Sequence, residues 1–309
     1  MTGTRAILGA LLLLLGCGSD AGDDWGRVSS TPSVTSFVDL WVFADDDIWL
    51  LDGSSTVHRY DGEAFTTLDT PSTGGLGCIF ALSPTQVWLC AGTEVLFYDG
   101  ANFSATDVTA ARGLDSLSGL WASSPTDVWA IGDDAIVAHY DGQAWTGTIV
   151  GSPFPSSIWG SGPSDVYVLG TFDFMHYDGS VWTEIDLDSG GGDGQVWGTS
   201  ADDVWVMTES YELSHYDGSQ WETIPTDDFV GDLAAVWGPA PDDLWAVGSA
   251  GSIARYTGGS WEELAHQKIG SPYLRMFTRV HGSSSTNVWA IGYQLGEGGS
   301  TPLLYRYAP

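Results

Sequence analysis

One feature constrains this chain more than any other: a unit that recurs along it with its aromatic side chains in fixed places. The clearest copy, LWASSPTDVWAIGDDAIVAHYDGQAWT, runs from Leu120 to Thr146, and related copies begin at Val196 and Val236. A first aromatic column holds Trp41, Phe80, Trp121, Trp159, Trp197, Trp237 and His281. Eight residues later in every copy lies a second column, Trp49, Trp88, Trp129, Tyr167, Trp205, Trp245 and Trp289. A third column, Phe65, Phe103, Trp145, Trp182, Trp221 and Trp261, follows a recurring tyrosine by five residues and has only six members. Trp25, in Gly22-Asp23-Asp24-Trp25, fits the vacant seventh place, and with it all 16 tryptophans fall in the three columns. Repetition at a fixed period implies one supersecondary unit stacked many times.

Each unit reads as four short strands. Val/Leu/Ile-Trp alternations flank a turn such as SPTD, and after a variable loop two further strands surround Tyr-Asp-Gly. Asp-Gly between apolar alternations is a hairpin signal of the type I′ kind, which needs positive φ. Four strands per period of about 40 residues match a propeller blade. The expectation is an all-β, seven-bladed β-propeller of four-stranded antiparallel blades. The seventh unit breaks off at Tyr307-Ala308-Pro309 and the N-terminus supplies its missing strand, so residues 24 to 30 are expected to pair with the C-terminal strand and close the ring. Residues 24–309 then form one domain.

The repeat resembles those of bacterial extracytoplasmic propellers of the BNR and WD40/YVTN-like superfamilies and is similar to the tectonin repeat, which shares Val-Trp and Tyr-x-Gly-x-x-Trp elements. The resemblance implies a fold and leaves function open, since propellers host hydrolases, lectins and scaffolds. Asp178-Gly179-Ser180-Val181-Trp182 is one residue shorter than the BNR Asp-box, which argues against a sialidase assignment. Near the start, Arg5 and the apolar run Ala6 to Leu15 are too short to span a bilayer and fit the signal peptide expected at residues 1–16. Leu14-Leu15-Gly16-Cys17 resembles the bacterial lipobox, which implies diacylglycerol and N-acyl chains on Cys17 and a short lipidated tether over residues 17–23. Gly18 after the cysteine favours, within the lipoprotein family, the outer membrane of a Gram-negative cell. The bilayer is therefore an expected partner, and the location extracytoplasmic.

Charge excludes another class of partner. With 40 acidic against 9 basic side chains the formal net charge is -31, which rules against nucleic acid, whose phosphates require Lys and Arg. Gly-x-Ser-x-Gly, His-Glu-x-x-His and Walker motifs are missing from the sequence. The recurring Asp47, Asp127, Asp165, Asp203 and Asp243, with Asn287 and Gln86 in the same place, are expected to cap turns through backbone N–H groups, as are the aspartates of the Tyr-Asp-Gly turns. His139, His176 and His215 recur in different blades, so one zinc ion would not reach all three. Cys78 and Cys90 flank the blade 2 hairpin at positions that should face each other, and an extracytoplasmic setting favours their disulfide.

Strand alternation places every variable loop on one face, the expected ligand face. Its candidates are Asp133, Asp134, Phe172, Asp173, Glu209, Tyr211, Asp227, Asp228, Tyr273 and Arg275. The stretch DLDSGGGDG faintly resembles a calcium loop through Asp186, Asp188 and Asp193, although it lacks the closing Glu of the EF-hand pattern; no other cofactor is expected. The function these features point to is a non-enzymatic, membrane-anchored lipoprotein whose propeller face binds a protein or a glycan. A glycoside hydrolase or lyase on the same scaffold, and an envelope assembly scaffold, are the alternatives.

Overall fold

The computed structural model of the chain describes residues 24–187, 194–208, 212–226, 231–265 and 274–309. In them the aromatic columns become the register of the sheets. First-column residues face second-column residues across the two inner strands of each blade, as in Trp41↔Trp49, Trp121↔Trp129 and His281↔Trp289. Third-column residues face the tyrosine across the outer pair, as in Tyr140↔Trp145. Seven antiparallel sheets of four strands result, blades 1 to 7 in chain order with inner strands beginning at Asp39, Leu76, Leu117, Pro155, Gln195, Leu233 and Leu274, each in simple meander order except the last. Their inner strands neighbour one another around a ring, and the inner strand of blade 7 (Leu274–Ser284) closes onto that of blade 1 (Asp39–Ala44).

Blade 7 is composite. Its outermost strand is Trp25–Arg27, paired antiparallel with Gly299–Tyr307 so that Trp25 lies opposite Tyr307 and Arg27 opposite Tyr305. Trp25 is 6% exposed and packs its ring 5.5 Å from Trp245 and 5.6 Å from Tyr307. This closure removes the free sheet edges that an open ring would expose. The inner three strands of the blade are also long, and Leu295 lies opposite Ser300 in the hairpin of Asn287–Gly296 and Gly299–Tyr307.

The core is distributed between blades. Each of seven apolar clusters draws on two adjacent blades, for example Trp121, Trp129, Ile131 and Val137 of blade 3 with Ile158, Val166 and Val168 of blade 4. Trp49, Trp205, Trp245 and Trp289 are fully buried there. First-column rings lean over the next blade: a Cβ on Gly160 would lie 2.9 Å from the Trp121 ring, and one on Gly198 2.7 Å from Trp159.

The Tyr-Asp-Gly turns differ from the two-residue type I′ hairpin. The loop is four residues long, with only its glycine at positive φ (Gly142, φ 87). The aspartate closes it, because Asp141 Oδ1 accepts hydrogen bonds from the N–H groups of Gln143 and Ala144, each at 2.9 Å. These bonds favour the ionised carboxylate, and at Asp217 such bonds, with the Ser219 hydroxyl contributing most, hold the pKa at about 2.

Candidate functional site

The recurring aspartates of the second strand do something other than cap turns. Asp127 accepts from His139 Nε2 at 2.6 Å, Asp165 from His176 at 2.7 Å and Asp203 from His215 at 2.7 Å. Asp47 and Asp243 instead receive Arg59 (2.7 and 2.9 Å) and Arg255 (2.9 and 3.2 Å) through two bonds each. Hydroxyls of Ser123, Ser161 and Thr199 on the inner strands donate to the second carboxylate oxygen. Trp49 and Trp205 donate their indole N–H to Asp47 and Asp203. The adjoining turn is served by a hydroxyl: Thr126 N–H donates to Ser124 Oγ at 3.3 Å.

The same third-strand side chain also lies over the second-column ring. His139 stacks on Trp129 and His215 on Trp205 at 3.9 Å, while Arg255 and Arg306 sit 4.8 and 5.3 Å above Trp245 and Trp289. Blade 2 replaces acid and base together, with Gln86 for the acid and Phe97 tilted against Trp88, ring centroids 5.0 Å apart. Burial opposes ionisation of Asp203, yet its bonds from His215, Thr199 and Trp205 prevail and hold its pKa low. This network absorbs the three histidines into blade scaffolding. Among the described residues no group of three His, Cys, Asp or Glu is placed to hold a metal.

A channel of about 370 Å³ runs down the ring axis, walled by the inner strands and by first-column aromatics such as Trp41, Trp121 and Trp159. Its polar side chains link neighbouring blades. Ile79 N–H donates to Asp39 Oδ2 (3.0 Å), Val196 N–H to Ser157 Oγ (3.1 Å), Val236 N–H to Gln195 Oε1 (2.9 Å) and Val42 N–H to His281 Nδ1 (3.1 Å). Burial raises the Asp39 pKa against the opposing pull of Arg279, whose Nε is 3.8 Å away. Burial likewise pushes His281 down to about 3, so its ring is neutral and accepts at Nδ1. Cys78 and Cys90 pair across the first hairpin of blade 2 as a disulfide with Cα atoms 5.0 Å apart. Among the described lining residues Asp39 is the only carboxylate, and its second oxygen takes the Leu40 N–H at 2.9 Å.

The variable loops share one face, as strand alternation requires. There Asp133 and Asp134 are exposed in the blade 3 loop between second and third strands, and Phe172 and Asp173 occupy the corresponding loop of blade 4. Arg275 sits in the long blade 7 strand, where its Nε donates to Gln294 Oε1 at 3.3 Å. Asp186 is exposed after the outer strand of blade 4. Cys17, Asp188, Asp193, Glu209, Tyr211, Asp227, Asp228 and Tyr273 lie outside the described residues.

The fold has known counterparts. A YCF48 structure described as bound to D1 peptide superposes with a TM-score of 0.65 at 15% identity, covering 93% of this chain and 97% of that one. A catalytically inactive virginiamycin B lyase from Staphylococcus aureus with quinupristin gives a TM-score of 0.73 at 12% identity, covering 91% and 98%. The extracellular domain of a putative hybrid two-component system from B. thetaiotaomicron gives 0.70 at 10% identity, covering 93% of this chain and 41% of that one. No known family model and no curated protein matches the chain. At these identities the likeness shows a seven-bladed propeller and nothing finer.

Proposed function

We propose that this chain is a non-enzymatic, lipid-anchored binding propeller that presents its loop face to a protein ligand outside the cytoplasm. The state of the axial channel carries this reading. Glycoside hydrolysis needs two carboxyl groups facing one bond, whereas the channel's described lining offers Asp39 alone, with both oxygens engaged by backbone N–H groups. A neighbour in fold is described with a bound peptide, which accords with a protein ligand. The lipobox-like Leu14-Leu15-Gly16-Cys17 supports anchoring through acylated Cys17, with the outer membrane as destination in a Gram-negative cell.

The test pairs an interaction assay with a turnover assay on purified mature protein. Saturable binding to peptide or protein arrays, weakened by loop-face substitutions and accompanied by no hydrolysis of fluorogenic glycosides, is expected. Glycan-array hits weakened by the same substitutions would replace the protein ligand with a sugar, and sustained turnover would replace the binding reading with the enzyme. Cys17→Ser is expected to move the protein from the membrane to the soluble fraction; unchanged partitioning removes the anchor.

A further inference from the structure

Among the described residues, the most exposed large apolar side chains of the loop face gather at one corner. Phe172 is 76% exposed, Phe154 61% and Ile149 59%. Their backbones belong to segments tied into one unit. Phe172 N–H donates to Ser152 Oγ at 3.3 Å, the Thr171 hydroxyl to Phe154 O at 3.2 Å, and Val150 N–H to Ala135 O at 2.8 Å. The Asp173 carboxylate fits against Gly151, where an added Cβ would approach it to 2.6 Å.

Backbone strain gathers at the same corner. Of the non-glycine residues with positive φ among those described, Asp134 (61°), Ala135 (60°) and Phe154 (65°) lie here. For a bulky side chain this conformation is an outlier, and such strain persists where the surrounding structure imposes it, commonly at ligand clamps. Strain that holds a phenylalanine in solvent has no packing return. The corner is also acidic: Asp173 follows Phe172, Asp133 and Asp134 lie in the blade 3 loop that Ala135 ties to Val150, and the described ion pairs place no cation on any of them. The chain as a whole carries a net charge of -31.

We infer that the blade 3–4 corner, formed by Phe154 and Phe172 with Asp133, Asp134 and Asp173, docks a basic peptide segment through one of its large apolar side chains. The inference rests on the loop-face binding reading and names its partner chemistry. Aromatic side chains anchor the partner's apolar group, and the carboxylates attract its Lys or Arg and set its approach.

The probe is a fluorescein-labelled peptide of alternating lysine and leucine, with the glutamate–leucine peptide as its counterpart, followed by anisotropy at low and high salt. Phe154→Ser with Phe172→Ser should weaken lysine–leucine binding about tenfold. Leu82→Ser with Val181→Ser alters exposed apolar side chains (42% and 55%) at the opposite, short-turn face and should leave binding unchanged. Phe154→Gly separates docking from structure: glycine accepts the positive φ, so the melting temperature should hold or rise while binding falls. Equal affinity across all variants, or equal binding of the glutamate peptide, overturns the proposal. Binding weakened only by Leu274→Ser with Leu295→Ser, which face each other across the two inner strands of blade 7, removes this corner but keeps the loop face. Binding indifferent to every loop-face substitution removes both.

Discussion

Blade 2 contains its own design for an experiment on blade 5. It joins Gln86 to Phe97 where blade 5 joins Asp203 to His215, so the two pairings are alternative solutions at one position of the repeat. Asp203 is 4% exposed and accepts His215 Nε2 at 2.7 Å, Trp205 Nε1 at 3.0 Å and the Thr199 hydroxyl. Hydrogen bonds to a charged group contribute roughly 1.5–3 kcal/mol each, and donors left buried without partners add their desolvation cost. Asp203→Ala is therefore expected to destabilise the protein by about 3–5 kcal/mol. His215→Phe keeps the stack on Trp205, removes one donor and costs about 1–2 kcal/mol. Asp203→Gln combined with His215→Phe rebuilds the blade 2 pairing, and its cost should fall short of the sum of its single substitutions by at least about 1 kcal/mol. The assay is equilibrium urea unfolding followed by far-UV circular dichroism, comparing midpoints at constant slope. Strict additivity would refute the argument, because it would make the histidine–aspartate bond incidental to the stack.

Three further outcomes are expected. Trp25→Ala leaves a cavity against Trp245 and Tyr307 and should cost about 3–5 kcal/mol, lowering the melting temperature well beyond the effect of exposed Val181→Ala. Cys78→Ser with Cys90→Ser opens a crosslink spanning 12 residues and should cost at most about 3 kcal/mol, read as a loss of the melting difference between oxidised and reduced protein. His281 is held at a pKa of about 3, below the roughly 6.5 of a free imidazole, so the unfolded chain takes up its proton first. Its contribution is complete above about pH 6.5 and is lost as pH falls towards about 3; urea midpoints across that window should slope less steeply in His281→Gln.

The ring was legible in the sequence because it is written in spacing. Second-column residues follow first-column residues by eight in every repeat, and the same residues face each other across the inner hairpins. Trp25 was legible as the closing strand for the same reason, and it lies opposite Tyr307. The acid network was less so: aspartate in SPTD has a sufficient local explanation, and only the co-occurrence of Arg59, His139, His176, His215 and Arg255 at the matching third-strand position hinted at a partner. Channel residues such as Asp39 and Gln195 escaped notice because the position two before the first column differs in every blade. Phe154 escaped because it belongs to no column, and a positive φ at a phenylalanine is imposed by tertiary contacts that no local pattern encodes.

The composite blade also fixes the rim from which the N-terminal strand enters the ring. Trp25 is paired with Tyr307, at the end of the C-terminal strand nearest the short turns, and the chain then runs from there towards the loops. Anything attached ahead of Trp25 therefore leaves from the short-turn rim. With the proposed anchor at Cys17, the seven residues 17–23 reach at most about 25 Å. If that anchor holds, so short a leash would keep the short-turn face near the bilayer and turn the strained phenylalanine corner outward, away from the membrane.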